Sequence, residues 1–196
     1  MKRARKALGC GSAGALFEDG DDWVINYSCG TLDGKSGDRH PKDSIQSASI
    51  ACETKKAFLS NDAYNDKKMN LELAKKQNIR AILDVPLSAK KGPKGVLSFI
   101  HHDENAKFTD SQVDFAQKIA TAASLAIDNS MLLREERQAK KLESCLNNID
   151  TIINSTFDQN TILKKVVVEA RKALGCSASA IIAPKDDVWE IKHFSR

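Results

Sequence analysis

Residues 79–102, IRAILDVPLSAKKGPKGVLSFIHH, show a strong pattern of two consecutive strands. The apolar runs IRAILDVPLS (79–88) and GVLSFIHH (95–102) are separated by AKKGPK (89–94), whose glycine and proline favour a turn. In the first run, Asp84 shares one face with Ile82 and Pro86, whereas leucine and valine form the other face. The pattern predicts a sheet with one face better packed than the other, and Asp84 on the less well packed face.

The residues before this pair predict short elements joined by polar segments. The stretch SCGTLDGKSGDRHPKD (28–43) is rich in glycine, aspartate and serine, which predicts a loop. A short helix is expected within residues 44–56, and a brief strand that runs into a polar turn within residues 57–63. A second short helix is expected within residues 70–79, with its two lysines toward the C-terminal end, where positive charge is favourable.

From Thr109 onward the sequence predicts one long helix. Residues 109–174 contain neither glycine nor proline, and Thr109 or Asp110 can cap the helix N-terminus. A helix from Asp110 to about Asn154 would reach roughly 65 Å at 1.5 Å per residue, well beyond an ordinary globular helix. Its first half carries a stripe suited to packing on a sheet, formed by Val113, Ala116, Ile119, Ala120, Ala123 and Ile127.

The second half of this helix carries a heptad pattern, which we call the seam. Its members are Leu132, Ala139, Leu146 and Ile153, spaced by seven, with Leu142 and Ile149 offset by three. A domain's own sheet cannot cover a stripe on a helix that outruns the domain. We therefore expect the helix to pair in parallel with its copy in a second chain, as a homodimer, and to transmit the signal. The alternative partner is the next helix of the same chain, within residues 160–174, folding back along it.

The seven-residue sequence ARKALGC occurs at Ala4–Cys10 and again, 166 residues later, at Ala170–Cys176. When the two copies are aligned at this offset, Trp23 corresponds to Trp189. In both copies a glycine follows the predicted helix, at the position where a residue in the left-handed conformation would end it. The repeat predicts one domain and the start of a second of the same kind. The expected boundaries are a domain at 1–133 whose first helix is cut short, a connecting helix at 134–156, and the beginning of a second domain at 157–196.

Composition excludes several classes of function. The net charge of +4 arises from 30 basic and 26 acidic residues that are interleaved, whereas a nucleic-acid binder clusters its basic residues. No stretch approaches the roughly 18 apolar residues of a membrane span. The five cysteines show no CxxC or Cys/His spacing, so neither a disulfide framework nor a zinc site is indicated. We expect a cytoplasmic protein, with Cys10 and Cys176 as buried, inert thiols.

In their order and spacing, several of these segments resemble the GAF domain family, the small-molecule sensor modules of signalling proteins, phytochromes and cyclic-nucleotide phosphodiesterases. The similar segments are LSNDAYND (59–66), IRAILDVPLS (79–88), KGVLSFIHH (94–102), residues 107–133 and residues 157–176. The resemblance implies an α+β fold with a mainly antiparallel sheet flanked by helices, a long connecting helix and a partial second GAF-like unit. It also implies a pocket on the sheet face away from the terminal helices.

The resemblance argues against two ligands that GAF domains are known for. The cyclic-nucleotide members carry an Asn-Lys-Phe-Asp-Glu signature, whose Phe matches Phe108. Its Asn-Lys positions fall on the pair His101–His102, and its Asp-Glu positions fall on Gln112–Val113. Bilin-carrying members need a Cys-His pair, and no cysteine in this chain is followed directly by a histidine. Neither a cyclic nucleotide nor a covalent bilin is expected, and no other cofactor is indicated.

Catalysis has little support in the sequence. Adjacent residues on a strand point to opposite faces, so His101 and His102 cannot both bind one metal ion, and exposed imidazoles at a strand end are expected. The best enzymatic alternative is a GAF-type methionine sulfoxide reductase that uses Cys52. The chain lacks the further nearby cysteines that resolve the intermediate of such redox chemistry. We expect no enzyme activity.

The remaining hypothesis is a regulatory GAF module that senses a small molecule of unknown identity and acts on an output domain, such as a histidine kinase or a cyclase, elsewhere on the full-length chain. The resemblance places five polar residues on segments that line the family's pocket: Ser44, Asp62, Tyr64, Asn65 and Arg80. The alternative is that Asp62 and Asn65 only shape a turn and that the domain is a ligandless structural or dimerisation module.

Overall fold

Six strands, paired antiparallel throughout, form a sheet in the order β3-β2-β1-β6-β5-β4. They are β1 (Ser12–Asp19), β2 (Asp22–Gly30), β3 (Arg39–Pro41), β4 (Phe58–Ser60), β5 (Ala81–Leu87) and β6 (Gly95–His101). The structure is a computed structural model that describes residues 1–31, 36–90, 94–155 and 158–196. It divides into two units, residues 1–131, which contain this sheet, and residues 132–196.

The helices are α1 (Lys2–Ala7), α2 (Gln46–Thr54), α3 (Leu71–Lys76), α4 (Asp110–Ser155) and α5 (Gln159–Leu174), with a short 3-10 helix at Lys42–Ser44. The long helix α4 therefore forms as predicted. Its residues up to Met131 belong to the first unit and the rest to the second. Among the described helices, none combines the length and the apolar character needed to cross a bilayer.

Each face of the six-stranded sheet has its own apolar core. On one face, Leu8 after α1, Phe108, and the α4 residues Ala116 and Ala120 pack against the sheet, joined by the rest of the predicted α4 stripe. The opposite face is covered by α2 and α3, and Trp23 is its largest fully buried side chain. The sheet is thus sandwiched between two helical layers, which agrees with the α+β fold that the resemblance implies.

The strand pair that the sequence predicts most strongly is confirmed as β5 and β6, which are neighbours inside the sheet between β1 and the edge strand β4. The turn predicted at 89–94 includes residues 91–93, which lie outside the described residues. Asp84, on the face expected to be the less well packed of the two, is fully buried because α2 covers that face. Both faces of β5 therefore carry buried residues.

The segment 28–43, predicted to be a loop, contains more regular structure than expected. β2 continues to Gly30, and Arg39–Pro41 forms the edge strand β3, which pairs with Asp22–Val24. Arg39 stabilises this edge, since its guanidinium bridges the carboxylates of Asp19 and Asp22 at 2.7 and 2.9 Å. Residues 32–35 of this predicted loop lie outside the described part of the chain.

The start of α4 is fixed by a capping box. Gln112 Oε1 accepts a hydrogen bond from the Thr109 backbone N–H at 2.8 Å, and Thr109 Oγ1 accepts one from the Gln112 N–H at 3.4 Å. Of the two predicted caps, Thr109 is therefore the residue used. Gln112 Nε2 also donates to the carbonyl of Leu8 at 2.8 Å, which ties the end of α1 to the first turn of α4.

In the second unit, α5 lies against α4 in the region of Cys145. Cys145 on α4 and Val167 on α5 are buried, and Asn148 Nδ2 donates to Glu169 Oε2 at 3.4 Å between the two helices. Asp158 caps α5 as predicted, accepting from the Thr161 N–H at 3.1 Å. β7 (Ser179–Lys185) and β8 (Val188–Ser195) follow as an antiparallel hairpin.

The two copies of the repeated sequence ARKALGC have the same local geometry. Gly9 and Gly175 are both left-handed, with φ of 63° and 66°, as predicted. The thiols of Cys10 and Cys176 donate to the carbonyls of Arg5 and Arg171 at 3.7 and 3.9 Å. The hairpin that follows each copy shifts register at the equivalent position, between Ala15 and Leu16 in one copy and between Ile181 and Ile182 in the other.

The two copies differ in burial. Cys10 is buried, as expected, but Cys176 is exposed, so the expectation of a buried thiol is wrong at that position. Trp23 is fully buried under α2, whereas its counterpart Trp189 is 73% exposed. The difference follows from coverage, because the β7–β8 hairpin is a two-stranded sheet without a helix equivalent to α2 among the described residues.

Candidate functional site

A cavity lies on the sheet face that α2 and α3 cover, opposite the face that packs against α1 and α4. Its volume is about 70 Å³. This is several times the roughly 10–15 Å³ that one water needs, and well below the roughly 300–1,000 Å³ of pockets for drug-sized ligands. Its walls are mainly apolar, formed by Leu16, Ile25, Ile45, Met69, Leu73, Ala74, Ile79, Ile82 and Ile100.

The floor of the cavity is a short polar row set by strand register. Ser28 on β2 lies opposite Gly14 on β1, Gly14 lies opposite Ser98 on β6, and Ser98 lies opposite Asp84 on β5. Ser28, Gly14 and Ser98 line the cavity. Gly14 contributes no side chain, which leaves space between the two serines. The cavity therefore has hydroxyl groups on its floor and mainly hydrocarbon on its walls, which also include the polar residues His40, Gln46, Asn70 and Gln77.

Asp84 lies directly behind this floor and is fully buried. Ser98 Oγ donates a short hydrogen bond to Asp84 Oδ1, and among the described residues Oδ2 has no hydrogen-bond partner. Burial raises the pKa of Asp84 to about 6, against the opposing effect of hydrogen bonds from Ser98 and from Ser47 on α2. A carboxylate is thus kept at the cavity without a neutralising partner.

Asn70 fixes the wall that α3 contributes. Its Oδ1 caps α3 by accepting from the Leu73 N–H at 3.1 Å, while its Nδ2 donates to the carbonyl of Ser44 at 3.3 Å. Ser44 Oγ in turn donates to the carbonyl of Pro41 at 2.7 Å. One side chain therefore connects α3 to the 3-10 helix on the other side of the cavity.

The position of this cavity matches what the resemblance implies, and comparison with known proteins identifies the family. The GAF domain profile matches residues 1–128. The chain belongs to the GAF domain family. Among curated proteins, a cGMP-specific 3',5'-cyclic phosphodiesterase of Drosophila pseudoobscura pseudoobscura is 23% identical over 154 residues, 76% of this chain but only 14% of that enzyme. The similarity thus concerns a small part of that relative.

Solved GAF structures show the same fold. The blue-light absorbing form of the Thermosynechococcus elongatus PixJ GAF domain superposes with a TM-score of 0.60 at 14% identity, covering 70% of this chain and 86% of that one. A GAF domain/HD domain protein from Geobacter sulfurreducens gives a TM-score of 0.56 at 18% identity, covering 67% of this chain and 88% of that one. At such identities the likeness establishes the fold and not the ligand.

Of the five predicted ligand residues of this GAF domain, Ser44 lines the cavity. The other four lie together on a neighbouring surface and are not among the described lining residues. Asn65 Nδ2 donates to Asp62 Oδ2 at 2.8 Å within a turn, and the Arg80 guanidinium lies 4.2 Å from the centre of the Tyr64 ring. This cluster supports the segment that leads to the cavity wall, and a direct contact of these four residues with a ligand stays a prediction.

Sequence reasoning missed the floor of the GAF cavity, formed by Gly14, Ser28 and Ser98 with Asp84 behind them. The one visible signal was Asp84 itself, a charged residue in an otherwise apolar strand. The other three lie far apart in sequence and meet only through strand pairing.

The adjacent histidines are structural in this GAF domain. His101 is buried and packs on Phe108 with ring centres 4.4 Å apart, and burial lowers its pKa. His102 Nδ1 donates to the Asn78 carbonyl at 2.9 Å, which leaves Nε2 to accept from Ser12 Oγ at 2.7 Å. The expectation of exposed imidazoles is therefore wrong for His101. Within the described ranges, no three His, Cys, Asp or Glu side chains are placed to hold a metal ion.

Cys52 gives no support to the sulfoxide reductase alternative. Burial, together with the negative charges of Glu18 and Asp84, raises the pKa of its thiol to about 12. The thiol donates to the carbonyl of Gly95 at 3.4 Å and does not line the cavity. Since the thiolate is the reactive form of cysteine, Cys52 is a poor nucleophile at neutral pH.

Proposed function

We propose that this GAF domain is a non-catalytic, cytoplasmic sensor module that binds a small molecule in the cavity above Gly14 and transmits its occupancy through α4. The observation that supports this proposal best is the cavity itself, an apolar chamber with a few convergent polar groups on the sheet face away from α4. GAF domains are regulatory modules found beside output domains such as HD or phosphodiesterase domains. We infer that the full-length chain carries an output domain of that kind, such as a histidine kinase or a cyclase.

A continuous set of contacts connects the cavity wall with α4 inside the first unit. Met69 and Asn70 line the cavity at the end of the segment that begins with Asn61. The amide of Asn61 makes two hydrogen bonds to the backbone of Phe108, at 3.0 and 2.8 Å. Phe108 is buried just before the capping box of α4. A ligand that moves the wall would therefore act on Phe108, the residue next to the capping box that fixes the start of α4.

The seam is available for pairing. Leu132, Leu142, Leu146 and Ile153 are 50, 46, 63 and 50% exposed, Ala139 is exposed and Ile149 is half-buried. Helix α5, the alternative partner, covers the stripe of α4 that contains Cys145 and not the seam. Because consecutive helical residues point roughly 100° apart, Cys145 and the seam residue Leu146 lie on different faces of α4. We therefore propose that α5 and a second copy of α4 occupy different faces, the second copy lying parallel on the seam.

We further propose that residues 157–196 begin a second GAF-like domain, which would leave residues 134–156 as the connecting helix. Thr156 and Phe157, at this boundary, lie outside the described residues. The matched register shift and glycine conformation in the two hairpins support this organisation. The exposed apolar residues of the second hairpin, Trp189 and Ile191 among them, are the counterparts of residues that the first domain covers.

A cyclic nucleotide is not the ligand we propose. The cavity is small, no lysine or arginine is among the described residues that line it, and a buried carboxylate lies behind its floor. The acidic pair of the cyclic-nucleotide signature is replaced by Gln112 and Val113, and Gln112 is engaged in the α4 capping box. The alternatives of a ligandless structural module or a sulfoxide reductase have no comparable observation in their favour.

Leu73→Trp is expected to abolish ligand retention, because Leu73 lines the cavity from the partly exposed side of α3 and a larger side chain there can enter the cavity without breaking the core. Leu71→Trp is the matched control, since Leu71 is on the same helix, 42% exposed and outside the lining. Native mass spectrometry of freshly purified protein should show an added small mass in the wild type and in Leu71→Trp. Equal occupancy of all three proteins would refute binding in this cavity.

A further inference from the structure

At Ser98, the floor of the cavity offers a ligand a hydrogen-bond acceptor but no hydrogen-bond donor. A serine hydroxyl has one proton, and Ser98 donates that proton to Asp84 Oδ1. Ser98 lines the cavity, and its oxygen is therefore free to act only as a hydrogen-bond acceptor. A carboxylate directly behind the hydroxyl polarises it further toward accepting.

The negative charge behind the floor is not balanced by the protein. Asp84 is fully buried, and its second oxygen has no hydrogen-bond partner within the described residues. No lysine or arginine is among the described residues that line the cavity, where His40 is the only basic side chain. A buried carboxylate without a positively charged partner is unfavourable even when serine hydroxyls donate to it, and a ligand that supplies a positive charge or a strong donor would offset that cost.

We propose that the cavity selects a small ligand with an apolar body and a cationic hydrogen-bond donor, of the primary ammonium or amidinium class, whose donor group is held at Ser98 with Asp84 as its counter-ion. The apolar walls accept the body of such a molecule, and the cavity volume limits it to a few heavy atoms. Anions of the same size are rejected, because they would meet a like charge and an acceptor. This inference rests on the proposed sensor function and assigns the chemical class of its ligand.

The test compares three probes with one carbon skeleton, namely isobutylammonium, isobutanol and isobutyrate. The full chain, labelled with nitrogen-15, is titrated at pH 7.5 and constant ionic strength, and the amide signals of Gly14 and Ser98 report binding at the floor. The wild type should bind isobutylammonium about tenfold or more tightly than either of the other probes, as expected for a charge-assisted hydrogen bond.

Three variants locate the selectivity. Asp84→Asn keeps the shape and should lose the preference for the ammonium probe over the alcohol. Ser98→Ala removes the acceptor and should weaken the ammonium probe by a similar factor. Asp114→Asn makes the same change of charge on an exposed part of α4 and should behave as the wild type.

The outcomes separate this inference from the proposed function. If isobutanol perturbs Gly14 but the wild type shows no preference for isobutylammonium, the ligand class is wrong while the cavity remains a binding site. If the wild type shows the preference but Asp84→Asn and Ser98→Ala retain it, the assignment of the donor to Ser98 and Asp84 is wrong. If none of the three probes perturbs Gly14 or Ser98, ligand binding in the cavity fails, and the assigned ligand class fails with it.

Discussion

Replacing Asp84 with asparagine is expected to stabilise the folded first domain at pH 7.5 by about 3 kcal/mol. Burial raises the pKa of this carboxyl from its ordinary value of 3.8 to about 6. Between these two pH values the folded state binds more protons than the unfolded state, so the stability contributed by Asp84 falls as pH rises. Above pH 6 the folded domain carries a buried carboxylate, and the uncharged asparagine removes that cost while still accepting from Ser98.

The measurement is urea unfolding at several pH values between 4 and 7.5, followed by the fluorescence of Trp23 in a Trp189→Phe background. Asp114→Asn controls for the change in net charge. The stability difference between the wild type and Asp84→Asn should be small near pH 4 and grow until about pH 6. Cys52, whose pKa is raised to about 12, stays neutral throughout this range and does not contribute. A variant that is no more stable than the wild type at pH 7.5 would contradict the assignment of an uncompensated buried charge.

Leu146→Lys is expected to convert a dimer into a monomer. Leu146 is 63% exposed in the single chain, and burying a leucine contributes roughly 1.5–3 kcal/mol per copy. In a parallel pair the two lysines would face each other, so both lost burial and charge repulsion weaken the dimer. A loss of about 3–6 kcal/mol over two copies corresponds to a dissociation constant more than a hundredfold larger.

Asn147→Lys is the matched control, because it adds the same charge at the next, exposed position, which points away from the seam. Sedimentation velocity at tens of micromolar should find dimers for the wild type and for Asn147→Lys, and monomers for Leu146→Lys. A monomeric wild type would show that the seam does not hold two chains together, and packing of α5 on α4 would then be the only role left for this half of the helix.

Local sequence patterns predicted the elements whose structure is decided locally. The β5–β6 pair, the Thr109 and Asp158 caps and the left-handed Gly9 and Gly175 depend on neighbours within a few residues. Edge strand β3 was missed because it is held by backbone pairing with β2, a partner distant in sequence, and its residues Arg39–Pro41 show no apolar pattern. Its composition alone is that of a loop.

The candidate site was less predictable for a physical reason. Of the five residues chosen from the family resemblance, Ser44 lines the cavity, whereas the floor depends on the register of four strands. Strand register is set by the whole sheet, so the residues next to Gly14, Ser28 or Ser98 in the sequence do not predict which residues lie opposite them. The burial of Asp84 and His101 likewise depends on which helix covers each face of the sheet.

The central claim is that occupancy of the cavity changes the pairing of α4, and distances between two copies of α4 test it most directly. A spin-labelled amino acid in place of Asn147 reports the separation of the two helices by pulsed electron resonance. Leu73→Trp fills the cavity permanently, while Leu71→Trp leaves it open. We expect Leu73→Trp to shift the distance distribution and Leu71→Trp to reproduce the ligand-free wild type. Identical distributions for all three proteins would contradict the claim that the cavity controls the helix.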